Sequence, residues 1–237
     1  SRGLGDVYKR QNVITKDTTL YFKNGTSFEA TIIDSEGKSV GAGQNVTFNI
    51  NGVFYTRITD ANGTAKLSIN LIPGDYIITT IYKNTQIGNK VTVLPTLVTS
   101  DLEKTFGQPK PFVAKTLDGQ GKILANQSVQ FNINGVLYTR ISNENGEASL
   151  NINLNPGEYI ATVNYKSAFT SAKVVVLNPQ VVKENATNSE IQNIINSIDN
   201  KGAVKFLGKV YNDISLDITK SMILTSDVNT TLNGKLN

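Results

Sequence analysis

The stretch Phe48–Ile58 reads F-N-I-N-G-V-F-Y-T-R-I, and it returns at Phe131–Ile141 as F-N-I-N-G-V-L-Y-T-R-I. In each copy apolar and polar residues alternate on both sides of an Asn-Gly pair. That pair supplies the two positive-φ positions of a two-residue type I′ hairpin turn, so each copy predicts two antiparallel strands. Working outward, Gln44–Leu94 aligns with Gln127–Leu177 without a gap, and about 30 of about 51 positions are identical at a period of about 83 residues. Solenoid repeats run about 20 to 50 residues, whereas a self-sufficient β-sandwich needs roughly 70 to 100. The period therefore signals whole domains in series.

The rest of each repeat has the same character. Val46, Phe48 and Ile50, with their counterparts Val129, Phe131 and Ile133, are the expected core of the first hairpin strand. In the next strand Val53, Tyr55 and Arg57 alternate with Phe54, Thr56 and Ile58. A second turn, Asp60–Gly63 or Asn143–Gly146, leads into strict alternation through Ala65, Leu67, Ile69 and Leu71, or Ala148, Leu150, Ile152 and Leu154. One face of that strand must be core and the other wet. Pro73-Gly74-Asp75-Tyr76 and Pro156-Gly157-Glu158-Tyr159 then reverse the chain. Tyr76 and Tyr159 are assigned to the repeat core as corner-locking phenols whose hydroxyls bond nearby backbone. The segments near Pro95–Ser100 and Asn178–Asn185 read as short linkers, stiffened by proline. One loop differs between the repeats, because Gly41-Ala42-Gly43 is a residue longer than Leu124-Ala125 before the aligned glutamines.

Composition narrows the chemistry. Of 237 residues, 39% are hydrophobic and 18% charged, which is the balance of a folded chain rather than a disordered one. Cysteine and histidine are both absent, which removes disulfides, thiolate nucleophiles, the usual zinc sites and every imidazole base. The net charge of +4 is spread along the chain, and a nucleic-acid partner would need a dense basic stripe. No apolar run reaches the roughly 18 residues of a membrane-spanning helix. Residues 1–11, S-R-G-L-G-D-V-Y-K-R-Q, resemble translated adapter sequence and are set aside, so the absence of an export signal implies little.

Asn24, Asn45, Asn62, Asn126, Asn185 and Asn229 open N-x-S/T sequons, which fit a glycosylated, secreted surface. A chain this rich in Asn and Thr also produces such triplets by chance. The D-A-N-G turn at Asp60 has part of a calcium loop, but the second repeat holds Asn143 in its place, so turn chemistry is the expectation. No metal, cofactor-binding or catalytic residue is assigned.

After Pro179 the period changes. Asn188-Ser189-Glu190 opens a helix of about 12 residues, with Ile191, Ile194, Ile195 and Ile198 on one face. Strand-like runs follow at Ala203–Leu207, Tyr211–Ile218 and Ser221–Thr225. A helix covering the first rungs of a right-handed parallel β-helix accounts for this order, and the chain then stops without a closing element. A third, divergent sandwich is the alternative. The expected architecture is all-β, with an adapter-like segment at 1–11, Ig-like β-sandwich repeats at 12–95 and 96–179, and a capping helix with a truncated β-helix start at 180–237.

The hairpin F-N-I-N-G-V-x-Y-T-R-I, the turn D-A-N-G-T-A-K-L and the stretch L-x-P-G-[DE]-Y-I together resemble the immunoglobulin-like repeats of large adhesin-like surface proteins of methanogenic archaea. Likewise I-Q-N-I-I-N-S-I-D-N, followed by V-K-F-L-G-K-V-Y-N-D-I-S-L-D-I-T-K-S, resembles the opening of the parallel β-helix region in the same proteins. The resemblance implies a non-catalytic adhesin or stalk at the cell surface, with proteins or glycans of neighbouring or host cells as partners. It carries over no catalytic residues.

Two other functions remain open at the level of sequence. A β-helix can bear a polysaccharide-cleaving site, for which Asp199, Asp213, Asp217 and Asp227 are the available carboxylates, although solvated turns are their expected setting. A carbohydrate-binding module would use the recurring pairs Tyr55/Tyr138 and Tyr82/Tyr165, although tyrosines of a sandwich are expected in the core.

Overall fold

The computed structural model describes residues 12–198 and 202–237, so the adapter-like segment Ser1–Gln11 and the carboxylate Asp199 lie outside the described residues. Strands β1 (Asn12–Ile14), β2 (Thr18–Tyr21), β3 (Ser27–Ile33), β4 (Asn45–Ile50), β5 (Val53–Ile58), β6 (Thr64–Ser68), β7 (Gly74–Tyr82) and β8 (Thr85–Leu94) come from the first repeat. They form two sheets, β1-β3-β6 and β2-β8-β7-β4-β5. The pairs are antiparallel except β2 with β8, which run parallel from Thr18↔Val91 to Tyr21↔Leu94.

The second repeat gives β9 (Leu97–Thr99), β10 (Leu102–Thr105), β11 (Phe112–Thr116), β12 (Ser128–Ile133), β13 (Val136–Ile141), β14 (Glu147–Leu150), β15 (Gly157–Tyr165) and β16 (Ala168–Leu177). Their order, β14-β11-β9 against β10-β16-β15-β12-β13, repeats that of the first. A three-stranded sheet facing a five-stranded one, with the edge strand of the larger sheet joined by a tight hairpin, is the Ig-like arrangement.

Each core is built across its two sheets. Phe28 of β3 meets Phe48 of β4 edge-on, with ring centroids 5.9 Å apart and planes at 89°. Phe112 and Phe131 repeat the contact at 5.9 Å and 77°. Val46, Ile50, Val129 and Ile133 are buried beside these rings. The hairpin turns have the backbone that the Asn-Gly pairs require, with φ of 51° and 80° at Asn51 and Gly52 and of 52° and 77° at Asn134 and Gly135.

The segments expected to be linkers contain strands instead. Pro95 ends β8, and two residues later Leu97 begins β9 with its side chain buried. Likewise β17 (Gln180–Val182) lies within Asn178–Asn185 and buries Val182. Apolar side chains there gain more by docking in a core than by remaining in a solvated tether. By backbone contacts the first compact unit runs to Thr96 and takes in the turn Leu117–Ile123. The second contains Leu97–Thr116 and Leu124–Asn237. Within the first unit Asn24 Nδ2 donates to Gly119 O at 3.1 Å.

The last part of the second unit has a different plan. Helix α1 (Asn188–Ser197) follows β17, and then come β18 (Ala203–Phe206), β19 (Val210–Leu216), β20 (Ile223–Ser226) and β21 (Thr231–Leu236). The helix is shorter than the pattern suggested. Thr187 is its N-cap in a capping box with Glu190, and the extended backbone of Ile198 ends it. The final stretch, to which the sequence pattern assigned no element, is a strand. Two sheets form, β17-β18-β20 and β19-β21, and every pair in them is parallel. Ile191 and Ile195 of the helix pack with Val182, Val204, Phe206, Ile214 and Leu216 in one core. After a bulge in β19 that begins at Tyr211, Ile214 pairs with Gly234. A Cβ there would overlap the Ile214 carbonyl, so the register requires glycine.

Candidate functional site

Several of the side chains that suggested chemistry hold turns and corners together. Asp60 Oδ1 accepts from the backbone N–H of Asn62 at 2.9 Å and of Thr64 at 3.1 Å. Asn143 Oδ1 does the same for Asn145 and Glu147, at 2.9 and 3.0 Å. A neutral amide thus replaces the carboxylate with its bonds kept, which is turn chemistry. Among the described residues no group of three acidic, Cys or His side chains is arranged to hold a metal ion. Tyr76 donates to Ile72 O at 2.8 Å and Tyr159 to Asn155 O at 2.9 Å, at the start of β7 and β15. Both tyrosines are half-buried, outside the close-packed core, because each ring lies over the corner it fastens.

Other carboxylates are anchors. Asp17 accepts from Lys90 N at 2.9 Å and Asn89 Nδ2 at 3.1 Å, and these donors hold its carboxyl below the usual range. Asp101 repeats the backbone bond with Lys173 N at 2.8 Å. Asp213, Asp217 and Asp227 are all exposed. Asp217 Oδ1 accepts from Asn237 Nδ2 at 3.0 Å, and Asp227 pairs with Lys205 at 2.6 Å.

The two larger of the clefts described in the second unit contain acidic residues. One, of about 560 Å³, is lined by Glu103, Lys110, Gln108, Asn178 and Ser197 among others. Glu103 is its one acidic residue among those described. The other, of about 500 Å³, has both Glu184 and Glu190 on its wall. Glu190 caps the helix, accepting from Thr187 N at 2.8 Å, and that bond lowers its pKa. The Glu190 carboxylate is thus engaged in the helix cap.

The tyrosines fall into two sets. Tyr82 and Tyr165 are buried and donate to Gln44 Oε1 at 3.1 Å and Gln127 Oε1 at 2.5 Å. Tyr55 and Tyr138 are not in the core as expected. Each sits on the outermost strand of its five-stranded sheet, where the smaller opposing sheet offers no cover. Arg57 lies over Tyr55 with 5.9 Å from guanidinium carbon to ring centroid, and Arg140 over Tyr138 with 5.7 Å. Every residue of β5 is exposed, including Phe54 at 62% and Ile58 at 66%, and β13 exposes Leu137 and Ile141, each at 59%.

Of the sequon asparagines, Asn45, Asn62, Asn126, Asn185 and Asn229 are exposed. Asn24 is half-buried, with its amide nitrogen bonded to Gly119 and its oxygen accepting from Thr26 N at 3.0 Å.

One buried charge was missed in the sequence. Lys104 of β10 is 4% exposed and donates to Ile152 O at 2.7 Å, and burial pushes its ammonium below the usual lysine range. The repeat alignment, carried upstream through β2 and β10, places Leu20 opposite it, since Thr18↔Val91 in one repeat matches Leu102↔Val174 in the other. An apolar position occupied by lysine in one copy was the available signal.

No protein-family model and no curated protein matches this sequence. Solved structures similar to it include the I9–I11 tandem from titin, at 17% identity and a TM-score of 0.36 over 71% of this chain and 66% of that one. Invasin, a bacterial integrin-binding protein, is 22% identical with a TM-score of 0.31, over 70% of this chain and 38% of invasin. A 1.5-MDa bacterial ice-binding adhesin is 15% identical with a TM-score of 0.28, over 72% and 65%. The matched region therefore spans less than two thirds of each of these chains. Structures similar to this nearly all-β protein thus include Ig- or fibronectin-III-like and bacterial adhesin domains.

Proposed function

We propose that this chain is a non-catalytic segment of an extracellular, cell-surface adhesin or stalk, in which serial sandwiches space and present a binding head. In this reading residues 12–95 and 96–179 are the Ig-like modules. Residues 180–237 are a capping helix and the first rungs of a right-handed parallel β-helix. The parallel pairs β17-β18-β20 and β19-β21 support that assignment, since each successive rung adds one strand to each sheet. The head's partners are proteins or glycans of neighbouring or host cells.

The observation that carries the proposal is the repetition of one complete sandwich in which the recurring polar side chains Asp60/Asn143 and Asp17/Asp101 are bound into the fold. Such a module contributes position rather than reaction. An antibody to Gln44–Leu177 on intact source cells tests it: surface labelling that trypsin removes is expected, and labelling only after lysis would overturn the reading. A glycosylated surface is part of the same proposal. Peptide mass spectrometry of the native protein should find sugar on some of Asn45, Asn62, Asn126, Asn185 and Asn229, with Asn24 unmodified because its amide is bonded within the fold.

A further inference from the structure

Strands β5 and β13 end their sheets, and each leaves one row of backbone groups open. The row can be identified. Thr59 N bonds to Gln44 O at 2.9 Å, so the odd-numbered residues of β5 face β4, and the N–H and C=O of Phe54, Thr56 and Ile58 face outward. Close approach of Thr47 Oγ1 and Thr56 Oγ1, at 3.2 Å, marks that pair as a non-hydrogen-bonded one and agrees with this parity. In the second repeat Ser142 N bonds to Gln127 O at 2.9 Å, which turns Leu137, Thr139 and Ile141 outward.

We infer that this edge is a self-association surface and that its occupant is the same edge of a second copy of the chain. The pairing chemistry of the strand argues for that partner. When two copies of V-F-Y-T-R-I run antiparallel about Thr56, Phe54 stands opposite Ile58 of the other copy and Tyr55 opposite its Arg57. The apolar pair closes over two side chains that are 62% and 66% exposed in the single chain. On the other face a guanidinium meets a tyrosine ring, the contact each chain already makes within itself at 5.9 Å. The strand V-L-Y-T-R-I of the second repeat is self-complementary in the same way about Thr139, and each strand is complementary to the other.

In the single chain Arg57 Nη1 donates to Thr56 O at 2.9 Å and Arg140 Nη1 to Thr139 O at 2.8 Å, so each arginine occupies an outward carbonyl of its own edge. Neither arginine has a carboxylate partner among the described residues. Association exchanges that contact for a strand N–H of the partner and releases the guanidinium to the partner's tyrosine. A single short edge binds weakly, so association is expected toward the high end of concentration. The inference rests on the surface-module reading only for where copies meet. The pairing itself is measured in solution, so its failure leaves that reading standing.

Sedimentation equilibrium of the whole chain, roughly from 1 µM to 1 mM, is the test, because that span covers weak to moderate affinities. The wild type should rise above the monomer mass of 25.7 kDa with concentration. The double variant Thr56→Pro/Thr139→Pro removes one outward N–H from each edge and no ladder bond, and it should remain monomeric. Phe54→Lys/Leu137→Lys changes only exposed side chains and should do the same with an unchanged melting curve. Arg57→Ala/Arg140→Ala should associate less than wild type. A wild type that stays monomeric throughout overturns the inference, as does association undiminished in both edge variants. Stronger association of the arginine variant also overturns it, since the guanidinium would then be a shield on a solitary edge.

Discussion

Thr80 and Lys104 show how far single positions depart from the repeat. Thr80 Oγ1 is buried without a hydrogen-bond partner, and the matching residue of the second repeat is the buried Val163. A hydroxyl desolvated for no return is a cost, so Thr80→Val should stabilise the protein by about 1 to 2 kcal/mol in urea unfolding. Lys104 bonds to one carbonyl and has no ion pair to a described carboxylate. Lys104→Leu restores the residue type found at Leu20 and should also stabilise, by about 1 to 2 kcal/mol, because an uncompensated buried charge costs more than a hydrocarbon of similar size. Unchanged or lowered stability in either variant would show that the side chain has a partner or strain that these contacts do not explain. Alternation alone located Val46, Phe48 and Ile50 on one face. The burial of Lys104 is invisible to alternation, because lysine in a strand normally marks the wet face.

At the scale of elements, the parallel docking of β2 on β8 depends on Asp17. Its carboxyl is held below the usual range chiefly by the Lys90 backbone N–H, with the Asn89 amide second, so the folded form favours the anion. A depressed carboxyl contributes stability above its unfolded value, and that contribution is lost as pH falls through the folded one. Thermal melts should therefore show Asp17→Asn less stable than wild type near neutral pH, with the gap closing below about pH 4. A gap that widens in acid would contradict the anchor role. The helix shows the limit of pattern at this scale. Its apolar stripe was legible, but its end was set by the extended backbone of Ile198, whose side chain is buried in the core below.

For the whole molecule, two separate sandwich cores predict independent damage. Phe48→Ala and Phe131→Ala should each cost about 3 to 5 kcal/mol in the repeat that holds the ring, since each deletes a buried ring and its cross-sheet partner contact. The effects should be close to additive in the double variant, as for sites with no shared partners. A cost below about 1 kcal/mol at either ring, or strong coupling between the two, would place the residues outside separate cores. Calorimetry of the two single variants checks this directly.

The sequence by itself determined the tandem plan, the Asn-Gly hairpins, the alternating strands and the helix with its isoleucine face. Each of these is set by residues close in the chain, through φ preferences and periods of 2 or 3.6. Only the tertiary structure decided which strands end a sheet. Val53–Ile58 alternates as the neighbouring strands do, yet strand order places β5 at the edge of its sheet, and both faces meet solvent. The same holds for the strands hidden in the expected linkers, the burial of Lys104, and the parallel pairing of β17, β18 and β20. Those features depend on contacts between residues far apart in the chain, and no local preference encodes them.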